Sequence, residues 1–250
     1  LENYKRPEGK NFYESTKWEK LEKSAASGDI SAFGGSLLNP ANRLYYGTSN
    51  GLIYRLDNSD TSDSSVVIKN NMGAGGYISS ISVDPYDGSK VMASFSNYNI
   101  KSIYYSENAG ESWTDVSGNL EEFPNGQGSG PSVRSVYIYP LKFQYRYFAG
   151  TSTGLYSTDK LDGKDTKWIQ EGSSTIGNIV VDMIAGRPAD GYIAIATHGN
   201  RMYSSNFESE ILSIDESFTP NTFDLGQNFP NPFNPSTSIP FSLSSSSLVS

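Results

Sequence analysis

The chain of 250 residues contains no cysteine, which excludes disulfide staples, thiolate nucleophiles and cysteine-ligated zinc. Histidine occurs once, at His198, so no site with two imidazole ligands can be assembled. Charged residues make up only 18% and the formal net charge is −8. With no local run of Lys or Arg to compensate, the electrostatic footprint of a nucleic-acid or anionic-membrane partner is missing. No apolar stretch approaches the ~18 residues of a membrane-spanning helix. No secretory leader is visible either, but the chain opens at Leu1 inside what reads as a repeat and stops at Ser250 inside another pattern, as a piece of a longer protein would. Asp57, Asp60 and Asp63 are spaced by three, yet the Asp-x-Asp-x-Asp-Gly order of a calcium loop is not met. The expectation is therefore no metal and no cofactor.

What the chain does contain is 24 Gly, 17 Tyr and 13% aromatic residues, a mixture suited to many short strands joined by tight turns. The segment Tyr104-Tyr105-Ser106-Glu107-Asn108-Ala109-Gly110-Glu111-Ser112-Trp113 reads as a hairpin pinned by an aromatic, and weaker copies recur. Aligned on Tyr-x-x-Asp/Asn, the acid or amide falls at Asp57, Asn108, Asp159 and Asn206, at intervals of 51, 51 and 47. Apolar runs end at Pro40, Pro85, Pro140 and Pro188 with a similar period, and Thr16-Lys17-Trp18 is repeated as Thr166-Lys167-Trp168. A period near 50 built from short strands predicts an all-β propeller or a similar array.

Each unit offers four strands, at 30–36, 44–48, 52–56 and 66–68; at 78–85, 91–95, 100–105 and 113–116; and at 133–140, 145–150, 154–157 and 168–170. The last unit offers three, at 179–184, 192–197 and 201–204, and no tryptophan strand follows Asn206. A closed propeller commonly completes its final blade with a strand from the other end of the domain. The composition then divides the chain into blades over 1–207, an acidic linker over 208–224 and a distinct segment over 225–250. In that last segment four prolines between 230 and 240 forbid helix and central strand, and a serine-rich tail follows.

The stretch Ser106-Glu107-Asn108-Ala109-Gly110-Glu111-Ser112-Trp113 resembles the Asp-box, Ser/Thr-x-Asp-x-Gly-x-Thr-Trp, of the BNR-repeat propellers that include sialidases, xyloglucanases and sortilin-like receptors. Ser157-Thr158-Asp159 keeps the start of the box and reaches Trp168 after an insertion, Ser204-Ser205-Asn206 keeps only the start, and Asp57 lacks the serine. Ala196-Thr197-His198-Gly199-Asn200-Arg201 is similar to a stretch common in the closing blade of secreted members. The resemblance implies that the box is structural: Ser106, Asn108, Gly110, Ser157, Asp159, Ser204 and Asn206 shape turns, and Trp113 and Trp168 pack between blades. A short Asx side chain satisfying turn N–H groups is physically consistent with that role. The segment 225–237 resembles the opening of the C-terminal sorting domain of type IX secretion cargo, which begins a β-sandwich-like fold. That resemblance implies the secretion machinery as a partner and an address in the medium or on the outer cell surface of a Bacteroidota-like cell.

No catalytic residue is assigned. Sialidase chemistry would need converging arginines, whereas Arg6, Arg43, Arg55, Arg134, Arg146, Arg187 and Arg201 occupy different repeat positions. Asp84, Glu121 and Glu122 are the carboxylates to inspect for glycoside hydrolysis. In propellers the turns between second and third strands share a face with the loops between blades, which here predicts a ligand face carrying Asn50, Tyr98, Asn99, His198, Asn200 and Arg201 beside the loop 118–130. Three readings follow: a non-catalytic module binding glycan or protein, a glycoside hydrolase whose catalytic blades precede this chain, and a structural spacer at the cell surface.

Overall fold

The computed structural model describes residues 20–21, 24, 26–61, 64–68, 72, 75–207, 224–225 and 241–242. The expected strand at Thr16-Lys17-Trp18, Asp63, the linker over 208–223 and most of the sorting-domain segment lie outside the described residues.

Fifteen strands form four antiparallel meanders. The first is β1 (Ile30–Gly35), β2 (Leu44–Thr48), β3 (Ile53–Leu56) and β4 (Ser65–Val67), in that spatial order. The second is β5 (Ile78–Val83), β6 (Val91–Phe95), β7 (Ile103–Ser106) and β8 (Thr114–Asp115). The third is β9 (Val133–Pro140), β10 (Tyr145–Thr151), β11 (Gly154–Thr158) and β12 (Ile169–Glu171), and the fourth is β13 (Val181–Arg187), β14 (Tyr192–Thr197) and β15 (Met202–Asn206). Beyond them, β16 (Asp224–Leu225) pairs with β17 (Phe241–Ser242). The inner strands pack in succession, β1 on β5, β5 on β9 and β9 on β13. Gly34, Ser82, Val136 and Ile184, one from each inner strand, line a common channel of about 340 Å³. Meanders stacked face to face around a channel are β-propeller blades, and they match the expected all-β architecture.

The pairing corrects the alignment by one residue. Tyr54 opposes Tyr46, Tyr104 opposes Ala93, Tyr156 opposes Ala149 and Tyr203 opposes Ile195. Counted from the top of each second strand these are equivalent positions, so the tyrosine of the second unit is Tyr104 and not Tyr105. Asn108 consequently lies level with Asn58, which shares its unit's left-handed turn (φ 54°), rather than with Asp57.

The first two seams between neighbouring blades share one chemistry. Trp113 precedes β8 and donates its indole N–H to the carbonyl of Ile68, 3.0 Å away, just beyond β4. Trp168 precedes β12 and donates to the carbonyl of Val116, 2.9 Å away, just beyond β8. Both rings are buried, each in a cluster drawn from two blades. Nearer the channel, serine hydroxyls bridge adjacent inner strands: Ser80 and Ser82 accept from Val136 and Ile138 N–H, and Ser135 accepts from Ile184 N–H. In two of the three seams the apolar residue opening the next blade crosses closely over glycine; a methyl group on Gly47 would fall 2.3 Å from Ile78 Cγ2, and one on Gly150 2.8 Å from Val181 Cγ1.

The turns after the third strands are built differently in each blade. In the second, Ala109 and Gly110 are left-handed (φ 59° and 82°). Asn108 Oδ1 accepts from Ser112 N–H at 2.9 Å, and Ser106 Oγ accepts from Gly110 N–H at 2.9 Å. In the third blade the expected acid does something else: Asp159 pairs with Arg146 at 3.0 Å, while Thr158 Oγ1 accepts from Lys160 N–H and Thr166 Oγ1 accepts from Asp162 N–H. Ser157 donates to Glu171. In the first, Asp57 clamps Arg43 and Arg55 instead of the turn backbone. An insertion lengthens the third turn, so threonines reach N–H groups that an Asx at position 159 would not face. Ser204 and Asn206 lie in β15, paired with Ala194 and Tyr192.

Candidate functional site: the upper face of the blades

The meander order puts the turns β2–β3, β6–β7, β10–β11 and β14–β15 on one face with the interblade loops, and the Asp-box turns on the other. On the upper face one backbone hydrogen bond is repeated four times. The residue after each second strand, Ser49, Ser96, Ser152 and His198, donates its N–H to the residue before its own inner strand, Asp29, Tyr77, Ser132 and Val180. His198 is therefore the histidine version of a position that is serine in the other three blades.

Each inner strand also carries a bulge at its second residue. Pairing skips from Ile30 to Ala32, from Ile78 to Ser80, from Val133 to Ser135 and from Val181 to Met183, which leaves Ser31, Ser79, Arg134 and Asp182 out of register. Bulges re-aim side chains and are frequent beside sites. In the first two blades the bulged residue is structural: Ser31 donates to Ile78 O at 2.7 Å and Ser79 to Val133 O at 2.9 Å, each bridging to the next blade. In the last two it is charged. Arg134 Nη1 lies 3.4 Å from Asp182 Oδ1, and His198 Nδ1 lies 3.3 Å from Asp182 Oδ2, so one carboxylate joins a guanidinium and an imidazole at the rim of the channel. His198 is open to solvent at 79% of its full exposure, Arg134 is exposed and Asp182 is half-buried. Asp182 engages the Nδ1 side of the ring, which leaves Nε2 and the remaining guanidinium N–H groups as the polar atoms these side chains offer to a ligand.

Arg134 and Asp182 carried no site assignment in the sequence. Their signal was the dipeptide opening each inner strand, Ile30-Ser31, Ile78-Ser79, Val133-Arg134 and Val181-Asp182. It becomes readable only once bulges are known to fall at the second residue.

The six expected ligand-face residues all sit on upper turns but not in one cluster. Asn50 is used internally, accepting from Thr48 Oγ1 at 2.6 Å. Asn99, left-handed at φ 62°, accepts from Gly128 N–H of the long loop at 3.3 Å. Tyr98 is 57% exposed. Asn200 donates to Tyr203 Oη at 3.3 Å, and Arg201 holds its turn through backbone bonds with Thr197. Among the described residues no side-chain hydrogen bond joins any of these six to another.

The carboxylates singled out for hydrolysis are each engaged by backbone. Glu121 accepts from Ser102 N–H at 2.8 Å, with burial raising its pKa above the usual carboxylate range, and Glu122 accepts from Ser129 N–H at 2.5 Å. Asp84 is fully buried in the β5–β6 turn, where one oxygen accepts from Tyr86 and Asp87 N–H and the other has no hydrogen-bond partner. That turn lies on the lower face, away from Glu121. Among the described residues no group of three His, Cys, Asp or Glu could hold a metal ion, and no helix is long and apolar enough to cross a membrane.

No family model matches the chain, and no curated protein does. Solved structures match in shape. A GH74 enzyme of Niastella koreensis aligns at TM-score 0.52 and 16% identity, covering 80% of this chain and 32% of that one. The β-propeller domain of Cps50 (Swd1) from Myceliophteria thermophila aligns at 0.49 and 11%, covering 76% and 56%. A GH74 xyloglucanase of Xanthomonas campestris aligns at 0.45 and 17%, covering 80% and 33%. This chain thus spans about a third of the length of either GH74 protein and just over half of the Cps50 domain. At such identities only the fold carries over, and that fold is the β-propeller.

Proposed function

We propose that this chain is a non-catalytic propeller module of a secreted or surface-attached protein that binds a glycan through its upper face, around Arg134, Asp182 and His198. The observation that carries the reading is the change of chemistry at the bulge. Serine at that position already ties one blade to the next. An exposed ion pair adds only ~0–1 kcal/mol to stability, so three charged or ionisable groups at the rim have little structural reason to be there. Guanidinium and imidazole nitrogens beside a carboxylate, with the exposed ring of Tyr98 farther along the face, suit sugar hydroxyls and the apolar face of a pyranose. The backbone engagement of Glu121 and Glu122 also favours binding over hydrolysis.

The BNR-type repeat and the type IX sorting segment at 225–250 belong to the same proposal, and together they imply export to the outer surface or the medium. In the intact gene, deletion of 225–250 then leaves the protein inside the cell. A second reading, a glycoside hydrolase completed by further blades, draws on the likeness in fold to the Niastella GH74 enzyme.

Calorimetric titration of the chain with xyloglucan oligosaccharides, cell-wall glycan fragments and an unstructured peptide tests the proposal. Binding of a glycan that is lost in Arg134→Ala at unchanged thermal stability supports it. No glycan binding, or binding sensitive only to lower-face substitutions, overturns it, and release of reducing ends from the same glycans supports the hydrolase instead.

A further inference from the structure

On the lower face, the seam between the second and third blades holds a cleft of about 660 Å³. Its floor is formed by two buried tyrosines, Tyr105 of β7 and Tyr147 of β10, whose rings meet edge to face at 5.8 Å. Its rim is formed by two turns, with Glu107 and Asn108 from the second blade on one side and Asp159 and Lys160 from the third on the other. Both blades have all four of their strands among the described residues. The insertion that lengthens the third turn supplies part of the rim, so the departure of that turn from the second blade's pattern shapes the cleft.

The ionisable groups of the cleft are unequally engaged. Lys160 is held by Asp162 at 2.9 Å, and Asp159 by Arg146 at 3.0 Å. Lys90, which donates to the hydroxyl of Tyr145 beside the floor at 2.9 Å, is paired with Asp87. Among the described residues no hydrogen bond or ion pair engages Glu107. Its carboxylate nevertheless acts on the floor: burial raises the phenols of Tyr105 and Tyr147 above the ordinary tyrosine range, and the Glu107 charge adds to the rise. We propose that the cleft binds the ammonium group of a small amino sugar, with Glu107 as its counter-ion. An ammonium brings three donors and no acceptor, and the Glu107 carboxylate, the phenolic oxygens and the Thr114 hydroxyl offer acceptors around it. A charge-assisted bond over a desolvated floor is stronger than one in open water. The apolar side chains of Val116 and Leu161 also line the cleft and suit the C–H surface of a sugar ring. The volume lies within the ~300–1,000 Å³ of small-molecule sites. A divalent metal ion is a poorer fit, because no group of three His, Cys, Asp or Glu among the described residues could hold one.

Arg134, Asp182 and His198 lie on the opposite face, so this site stands or falls separately from the upper one. Glucosamine and its dimer are titrated into the chain by calorimetry and ligand-detected NMR. Two comparison ligands divide the chemistry: N-acetylglucosamine keeps the ring without the charge, and Nα-acetyl-lysine amide keeps the charge without the ring. Glucosamine should bind, and both acetylation of its amine and Glu107→Gln should weaken binding on the order of tenfold or more, as loss of a hydrogen bond to a charged group does. Affinity should fall as pH rises through the amine pKa of the ligand. Glu111→Gln, which removes a carboxylate of the same turn outside the cleft, and Arg134→Ala should leave it unchanged. Xyloglucan oligosaccharides carry no amine, so binding at the two faces is told apart. Four results overturn the proposal: no binding of either amino sugar, binding indifferent to Glu107→Gln, equal binding of N-acetylglucosamine, or Nα-acetyl-lysine amide bound as tightly as glucosamine. The last would give the cleft to a lysine side chain instead of a sugar.

Discussion

The indole N–H of Trp168 donates to the carbonyl of Val116 across the seam between two blades, 2.9 Å away. The bond satisfies a buried carbonyl where an outer strand ends, and the ring fills the space beneath it. A single side chain thereby joins the packing and the polar accounting of the seam.

Trp113→Ala should destabilise the chain by ~3–5 kcal/mol, the range for large-to-small aromatic changes in a core. Trp113→Phe separates the two contributions, since it keeps most of the volume and leaves the Ile68 carbonyl without its donor, at a cost of ~1–3 kcal/mol. Urea denaturation followed by circular dichroism measures both, and an unchanged stability in Trp113→Phe would mean that the hydrogen bond contributes nothing.

Asn108→Ala removes the acceptor for Ser112 N–H and should cost ~1 kcal/mol, as for an ordinary hydrogen bond or cap. Gly110→Ala should cost more. Its φ of 82° suits glycine, and the added methyl would fall 2.3 Å from Ile68 Cδ1 in the seam. The order of the two denaturation midpoints checks this.

Burial pushes the phenols of Tyr45, Tyr139 and Tyr147 up to about 12, and raises that of Tyr105 as well. In the unfolded chain they ionise near ~10. Above that pH the unfolded state binds fewer protons than the folded one, so stability falls as pH rises toward the folded values and is unaffected by these groups below it. Urea midpoints should be flat from about pH 8 to about 10 and then decline, with phenolate absorbance appearing together with unfolding. Free titration of every tyrosine near ~10 in the folded protein would contradict the burial of these rings.

On the upper face, Arg134→Ala, Tyr98→Ala and Arg201→Ala should each weaken glycan binding by ~1–3 kcal/mol with little change in stability, by analogy with interface anchors. Asn108→Ala is the lower-face control. Loss of binding in the control at matched stability would place the ligand on the wrong side of the blades for this reading.

The blades themselves were legible in the sequence. Strands β2, β6, β9 and β14 coincide with the expected runs, because alternating apolar residues between glycine and proline turns leave little freedom of assignment. The one-residue slip at Tyr104 and Tyr105 has a local cause: two adjacent tyrosines offer the same mark to an alignment, and only pairing with Ala93 and Met92 distinguishes them. The roles of Asp57 and Asp159 were not legible for a different reason. A carboxylate beside a turn looks the same whether its partner is a turn N–H or an arginine from the neighbouring strand, and here Arg43 and Arg146 supply the partner. Arg134 and Asp182 come together because bulges on two separate inner strands aim them at one point, a convergence that linear spacing does not encode.

The serine bridges and tryptophan seats have a consequence for how such a chain can change in length. Inner strands begin at Ile30, Ile78, Val133 and Val181, and the first two seams use the same tryptophan-to-carbonyl bond. A duplication or deletion of one whole unit therefore recreates a seam that already exists, and asks for no new complementary surface. Partial units have no such freedom, because they separate a tryptophan from its carbonyl. Descendants of this chain should differ from it by whole blades.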